Sequence, residues 1–243
     1  MANKDSLIRD LVIANRILAH EGVVDSYGHV SVRLPDNPDR FLLSRSRSPE
    51  QVTAEDILVF DLNGEPIEKT DDALYSERVI HARIFAARPD VQAVVHGHAQ
   101  DVLPFTVTDV KLEPVLHVAG IIGHKLPVWD MTDKFGDTDL LVTSNEHADD
   151  LASTLADQRV VLMRGHGFTA TGPSLELAVR TSYYLKVNAR LQLDALRLGP
   201  VKALSAGEID QVLARMGSPR ATPRVWANWA VRCGVGHLIN GDR

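Results

Sequence analysis

The sequence predicts a single α/β domain, and three observations support this prediction. Stretches with a helical spacing of apolar residues alternate along the chain with short, β-branched runs. The 243 residues suffice to bury a full core, and no linker divides them, so we expect one domain over residues 1–243. The hydrophobic and charged fractions, 44% and 24%, are ordinary for a globular protein.

The sequence of residues 6–88 predicts a helix at each end of this range and strands between the two helices. Apolar spacing favours the helices, while period-two alternation and turn residues favour the strands. The predicted elements are a helix over 6–21, a strand at 27–34 and its hairpin partner at 40–44 across a loop at 35–39, a strand at 57–61, a short strand at 66–68, and a helix from 75 to 88.

The C-terminal part alternates in the same way and ends in a mixed tail. Trp226 and Trp229 indicate a docked helix in this tail. The predicted elements are a strand at 93–96, short strands at 112–117 and 126–129, a helix at 149–156, a strand at 160–163, a turn at 171–174, a long helix at 175–198 and the tail at 208–243.

Composition excludes several classes of protein. The net charge of −6 argues against general nucleic-acid binding. No run approaches the roughly 20 apolar residues that a membrane-spanning helix needs, and no apolar signal segment follows the N-terminus. Cys233 is the only cysteine, so no intrachain disulfide can form. We therefore expect a cytoplasmic protein.

Three histidines stand at the ends of two predicted core strands. Residues two apart on a strand point to the same side, so His96 and His98 project together. The buried run 160–163 leads into Arg164-Gly165-His166-Gly167, where the glycines permit a close backbone approach. Three imidazoles leave one position open on a bound ion, as in catalytic zinc sites. We predict a divalent metal on these histidines, with zinc favoured and manganese, iron or cobalt as alternatives.

Other polar residues are candidates for catalysis. Glu77 begins a helix shortly before the His96 strand, which makes it the acid/base candidate. His81 lies on the same helical face, where a buried, hydrogen-bonded histidine is favoured over a metal ligand. Guanidinium groups bind carboxylates and phosphates bidentately, and of Arg45 and Arg47 we expect one, Arg45, to be functional.

Two further candidates leave alternatives open. His117 follows the predicted strand at 112–117 and could reach the metal, contact the substrate or only pack. Tyr183 and Tyr184 lie on the long helix, where aromatic residues usually belong to the core. We predict that one of them, Tyr184, could instead line a substrate pocket.

Four motifs, in this order, resemble the class II aldolase/adducin family: Gly28-His29-Val30-Ser31, Ser76-Glu77, Val94-Val95-His96-Gly97-His98 and Arg164-Gly165-His166-Gly167. The resemblance covers about residues 7–198. It implies a three-layer α/β/α sandwich around a largely antiparallel sheet, a divalent metal on the three histidines and Glu77 as catalytic acid/base. It also implies a homotetramer whose active sites lie at subunit interfaces, so that a C-terminal residue could complete a neighbour's site.

At the substrate-binding positions, the residues of this chain differ from those of the family's sugar-phosphate aldolases. Those enzymes resemble one another in Gly-Asn-x-Ser, Thr-Gly and Ser-Ser motifs that hold the phosphate. In this chain His29 takes the Asn place between Gly28 and Ser31, Leu43-Ser44-Arg45-Ser46 takes the Thr-Gly place, and Tyr75-Ser76 takes the Ser-Ser place. The larger cationic and aromatic groups favour a carboxylated, flat or ring-derived substrate.

Segments 25–33, 41–46 and 184–190 are similar to a subgroup of decarboxylases of aromatic catabolism, whose substrates include carboxylated hydroxymuconic semialdehydes and dihydroxyphthalates. The resemblance implies a metal-dependent, non-oxidative decarboxylase. In it Arg45 or His29 orients the carboxylates, and Glu77 or water protonates an enolate. Retro-aldol cleavage leaves a similar enolate, so an aldolase of a hydroxy-ketone or sugar-phosphate-like substrate is the alternative. A metal-free scaffold like adducin is a third hypothesis, which the three histidines disfavour.

Overall fold

The computed structural model describes residues 4–216 and 221–239. Seven strands lie in these ranges: β1 His29–Leu34, β2 Asn37–Ser44, β3 Ile57–Asp61, β4 Ala93–Gly97, β5 Val128–Trp129, β6 Val160–Met163 and β7 Gly167–Gly172. The α-helices there are α1 Lys4–His20, α2 Arg78–Ala87, α3 Thr132–Phe135, α4 Asn145–Leu155, α5 Leu175–Leu198, α6 Ala206–Arg215, α7 Ala221–Arg232 and α8 Gly236–Ile239.

The strands form one sheet in the order β3-β2-β1-β4-β7-β6-β5. Every neighbouring pair is antiparallel except β5 and β6, which are parallel. The prediction of a largely antiparallel sheet is therefore confirmed. The register places His29 of β1 directly opposite His96 of β4, so both side chains lie on the same face of the sheet.

The two faces of the sheet cover separate hydrophobic cores. Val95 and Leu162 belong to the core beneath α1, α5 and α7. Their chain neighbours Val94 and Val161 belong to the core beneath α2 and α4. Because successive strand residues point to opposite faces, a strand buried on both sides is apolar throughout. This arrangement is the expected three-layer α/β/α sandwich.

Most predicted helices are confirmed, but several short elements were predicted wrongly. Segment 112–117 is not a strand, because side-chain amides of α5 satisfy its backbone groups. Gln192 Oε1 accepts from Glu113 N at 2.9 Å, and Asn188 Oδ1 accepts from Val115 N at 2.8 Å. These amides take the place of a neighbouring strand.

The other corrections concern short or polar segments. Segment 66–68 forms only one bridge, from Pro66 to Phe60. The predicted loop at 35–39 is shorter, because β2 already begins at Asn37. Strand β7 was missed, since a turn was predicted at 171–174. Its Thr169 and Thr171 are buried and polar, so they give little apolar signal.

The C-terminal tail contains the expected docked helix, α7, with Trp226 and Trp229 both buried. Positions 217–220 and 240–243 of the predicted tail lie outside the described residues. Within residues 4–216 and 221–239, no helix combines the length and apolar character needed to cross a membrane.

Candidate metal centre

Four side chains bring potential ligand atoms together at one end of the sheet. Glu77, His96, His98 and His166 each contribute one atom, and these atoms lie within 4.8 Å of one another. Glu77 Oε2 is 3.6 Å from His96 Nε2 and 3.4 Å from His166 Nε2. The Nε2 atoms of His96 and His98 are 3.0 Å apart. The structure thus assembles the three predicted histidines and adds Glu77 to them.

Local backbone geometry brings the histidines together. His96 lies on β4 and His98 follows its last residue, as the strand period predicts. His166 lies in the tight turn between β6 and β7, where Gly165 has a φ of +63° that L-residues with side chains rarely adopt. A Cβ on Gly167 would overlap the Gly97 carbonyl oxygen. Glycine at this position therefore allows β7 and the end of β4 to approach closely.

Each histidine of this cluster is fixed through its Nδ1 atom. All three acceptors are oxygens, so Nδ1 carries the proton and Nε2 presents a lone pair toward the other ligands. The Nδ1 partners are Phe168 O for His96 at 3.1 Å, Asp25 Oδ1 for His98 at 2.9 Å and Leu140 O for His166 at 2.8 Å. Three lone pairs and a carboxylate pointing at one centre form a donor set that fits a divalent cation.

Burial and mutual charge interactions shift the pKa values of Glu77 and its neighbouring histidines. Burial opposes ionisation of this carboxyl, but hydrogen bonds and charge interactions with His166 and His96 outweigh burial and hold the pKa of Glu77 well below its usual range. Burial alone would lower the pKa of His166, yet Glu77 raises it. Burial lowers the pKa of His96 to about 4. Glu77 thus favours a proton on His166, which a divalent cation would displace.

The second carboxylate oxygen of Glu77 is also held. Glu77 Oε1 accepts a hydrogen bond from Val142 N at 2.9 Å. Oε2 therefore keeps its orientation toward the histidines, which fits both of the roles open to a carboxylate here, metal ligand and acid/base.

A cavity of about 610 Å³ opens beside the cluster. Its wall includes the predicted residues His29, Tyr75 and Ser76 together with Tyr27 and Arg47. The rings of His29 and Tyr75 lie 4.5 Å apart, and the Tyr75 hydroxyl donates to the Arg47 carbonyl oxygen. Tyr27 is 76% exposed at this cavity. Aromatic faces and a cation next to a metal centre suit a flat, anionic ligand.

The structure corrects the expected placement of Arg45. This side chain does not line the cavity, because its Nε contacts Asp56 Oδ1 at 2.6 Å and its Nη1 contacts Asp72 Oδ1 at 3.4 Å. Arg47 lines the cavity instead. Both arginines contact the buried Asp56 carboxylate, since Arg47 Nε lies 3.4 Å from Asp56 Oδ2. Of the two, Arg47 alone reaches the cavity wall, which sequence reasoning did not resolve.

Three residues predicted to bind substrate lie behind the cavity wall. A Cβ on Gly28 would be 2.6 Å from Val24 Cβ and 3.0 Å from the His96 carbonyl oxygen, so the glycine allows close packing. Ser31 and Ser44 are buried, and the Ser31 hydroxyl is hydrogen-bonded to His81. The prediction that His81 is a buried, hydrogen-bonded histidine is confirmed.

Two other candidates are separate from this cavity within the chain. His117 is exposed at the start of a 3-10 helix and lines a different cavity, together with α6 residues such as Arg215. Tyr184 packs against Tyr183 and lies 6.0 Å from the Arg180 guanidinium. Neither residue lines the cavity beside the cluster.

Sequence reasoning missed three residues near the site. Asp25 binds His98, Tyr27 stands at the cavity, and Leu141 lines its wall. A signal existed for Asp25, because an Asp two and three residues before Tyr27-Gly28 is typical of a side chain that caps its own turn. Asp25 Oδ1 accepts from both of these backbone N–H groups.

Comparisons with known proteins identify relatives of this chain. The sequence is 35% identical to the decarboxylase tropJ of Talaromyces stipitatus over 213 residues, 82% of this chain and 80% of that protein. It is 29% identical to a 3,4-dihydroxyphthalate decarboxylase of Arthrobacter keyseri over 238 residues, 91% and 92% of the two chains. The crystal structure of an aldolase II superfamily protein from Pseudomonas syringae has the same fold, with a TM-score of 0.79 at 22% identity and coverage of 98% and 97%.

A family match extends over most of the chain. Residues 9–193 match the family described as Class II Aldolase and Adducin N-terminal domain. The matched range contains all four members of the cluster and every named residue of the cavity beside it. On fold, site and sequence, this chain belongs to the class II aldolase/adducin family.

Proposed function

We propose that this protein is a divalent-metal-dependent, non-oxidative decarboxylase of a carboxylated aromatic or ring-cleavage acid that bears a hydroxyl or keto group. The observation that carries the proposal is the pairing of a preorganised three-histidine and carboxylate cluster with a cavity walled by Arg47, His29 and two tyrosines. The relatives named as decarboxylases, one of them acting on a dihydroxyphthalate, support the same reaction class.

His96, His98 and His166 would hold the ion, with Glu77 beside it as the acid/base, and we propose zinc because imidazole-rich sites with an open position suit it. Such an ion supplies Lewis acidity, which stabilises the negative charge left on a substrate oxygen when a neighbouring C–C bond breaks. The carbonyl and carboxylate partners of the Nδ1 atoms keep the imidazoles oriented for this task.

The chain's other groups bind and protonate the substrate. Arg47 and His29 orient the carboxylates, while Tyr27 and Tyr75 contact the flat faces of the substrate. Glu77 starts ionised and takes a proton from a substrate hydroxyl. Glu77 gives this proton to the carbon that bears the carboxylate, which converts the hydroxyl carbon into a ketone. The C–C bond to the carboxylate then breaks, its electron pair moves onto the ketone oxygen to give an enolate, and carbon dioxide leaves. A proton from water restores the hydroxyl.

The proposal is tested by metal analysis of the purified protein followed by assays of carbon dioxide release. Dihydroxyphthalates, carboxylated hydroxymuconic semialdehydes and hydroxybenzoates form the substrate panel. His96→Ala should lose both metal and release, whereas His124→Ala, which alters an exposed histidine paired with Asp210, should keep both. Metal-dependent cleavage of a hydroxy-ketone to an aldehyde, without carbon dioxide release from any panel member, would replace the decarboxylase by an aldolase.

A further inference from the structure

Three buried side chains form a hydrogen-bonded row next to the metal-ligand set. His29 Nδ1 lies 2.6 Å from His81 Nε2, and His81 Nδ1 lies 2.5 Å from the Ser31 hydroxyl oxygen. Each of the three is at most 1% exposed. His29 is the member of the row that lines the cavity, so the row leads from the interior of the sheet to the substrate's side of the wall.

Both imidazoles in the row are neutral. Both rings are fully buried, and in the described part of the chain no carboxylate lies within hydrogen-bond distance of either, so a positive charge on one of them would be unpaired. A neutral imidazole has one N–H donor and one bare nitrogen that accepts. Since each ring uses one nitrogen toward its neighbour, the direction of one hydrogen bond in the row fixes the direction of the next.

Ser31 sets that direction. In the described part of the chain, the only hydrogen-bond partner of the Ser31 hydroxyl is His81 Nδ1. A buried hydroxyl that donates to no acceptor costs free energy, so Ser31 donates its proton to His81 Nδ1. His81 then carries its own proton on Nε2 and donates it to His29 Nδ1. The remaining proton of His29 is therefore on Nε2, the ring nitrogen left for the cavity.

We propose that Ser31 and His81 hold His29 in the Nε2–H tautomer, so that His29 is a hydrogen-bond donor to an anionic oxygen of the substrate and not a base. The inference rests on the proposed function, in which that oxygen belongs to a carboxylate. Ser31 and His81 are positioning residues that act through His29. A donor at His29 Nε2 favours ligands that place an unprotonated oxygen beside this nitrogen.

The first experiment reads the tautomer directly in the zinc-loaded, full-length protein. Two-bond nitrogen–proton correlation spectra of histidine-labelled protein distinguish protonated from bare ring nitrogens. We expect a protonated Nε2 and a bare Nδ1 for both His29 and His81, assigned through correlations to their backbone atoms. A protonated Nδ1 on His29 would overturn the inference. This experiment needs no variant.

The second experiment measures binding of phthalate by calorimetry to Ser31→Ala and its matched control Ser31→Thr. The alanine variant removes the donor and lets His81 adopt either tautomer, so its phthalate dissociation constant should rise several-fold. The threonine variant keeps a hydroxyl and suits a strand, so it should bind as wild type does. Equal binding by the alanine variant and wild type would count against the inference.

The outcomes separate this inference from the proposed function, because neither experiment requires turnover. A protonated Nε2 on His29 in a protein that releases no carbon dioxide from any panel member would overturn the decarboxylase proposal and support the donor role. Release of carbon dioxide by a protein whose His29 is protonated at Nδ1 would support the decarboxylase and overturn the donor role.

Discussion

His98 Nδ1 donates a hydrogen bond to Asp25 Oδ1 over 2.9 Å, and the same oxygen accepts the backbone N–H groups of Tyr27 and Gly28. One carboxylate oxygen thereby links the cavity loop to a member of the metal cluster. Burial opposes ionisation of Asp25, but the hydrogen bonds from His98 and the loop outweigh it and lower its pKa. The link is thus an anion that orients an imidazole, an arrangement that strengthens metal binding.

We predict that Asp25→Ala lowers zinc affinity by roughly 10–100-fold, the range typical for loss of a partner that orients a ligand. The measurement is a competition titration against a chromophoric chelator. Asp210→Ala is the matched control, because it removes a carboxylate that contacts His124 at 2.8 Å outside the cluster. Equal zinc affinities for the two variants would show that Asp25 does not orient His98.

We predict that Gly167→Ala destabilises the protein by about 1–3 kcal/mol, because the added methyl group overlaps the Gly97 carbonyl oxygen and forces β7 away from β4. It should also lower bound zinc. Urea denaturation and elemental analysis provide the two measurements. The control is Gly207→Ala, where the added atom meets nothing within 4 Å and the helix should tolerate it. A Gly167→Ala protein with wild-type stability would contradict the role of this glycine.

We predict that the two loop arginines affect different properties, Arg47 the binding of phthalate and Arg45 the stability of the fold. Arg47→Gln should weaken phthalate binding roughly tenfold or more, the loss expected when a charged hydrogen bond to a carboxylate is removed. Arg45→Gln should leave binding unchanged and lower the melting temperature, because Arg45 is the nearer of the two arginines paired with buried Asp56, at 2.6 Å against 3.4 Å for Arg47. If phthalate binding were weaker only in Arg45→Gln, Arg45 would be the arginine that binds the substrate, as predicted from the sequence.

We predict that the metal-free protein loses stability as the pH falls below about 6.5. His81 has a pKa of about 3 when folded against 6.5 as its ordinary value, so in this window the unfolded chain binds the proton and the folded chain does not. The contribution is present above pH 6.5 and is fully lost near pH 3. Denaturant titrations at several pH values in chelator test this. His81→Gln should flatten the dependence, and an unchanged slope would argue against a neutral His81.

The members of the cluster were predictable from sequence because they follow local rules. His96 and His98 are related by the two-residue period of a strand, and His166 stands in a glycine-flanked turn after a buried run. Glu77 precedes the helix that covers this face of the sheet, and the family resemblance supplied its role. Oligomeric state, compartment and the single-domain assignment stay predictions.

The supporting contacts were not predictable, since they join distant segments. The oxygens that fix the three imidazoles come from Asp25, Leu140 and Phe168, and two of them are backbone carbonyls without a side-chain signal. Neither composition nor spacing indicates which of two neighbouring arginines faces a cavity. These features depend on how the layers pack, which periodicity does not specify.

The turn between β6 and β7 has a consequence for biosynthesis. Glu77 and His166 are far apart in the sequence, and the cluster forms only when β7 has paired with β4. His166 precedes β7, so a nascent chain that ends at this turn already contains all four side chains but lacks the strand pairing that brings His166 to the others. Under the proposed function, the metal site is therefore complete only after synthesis has passed β7 and the sheet has formed.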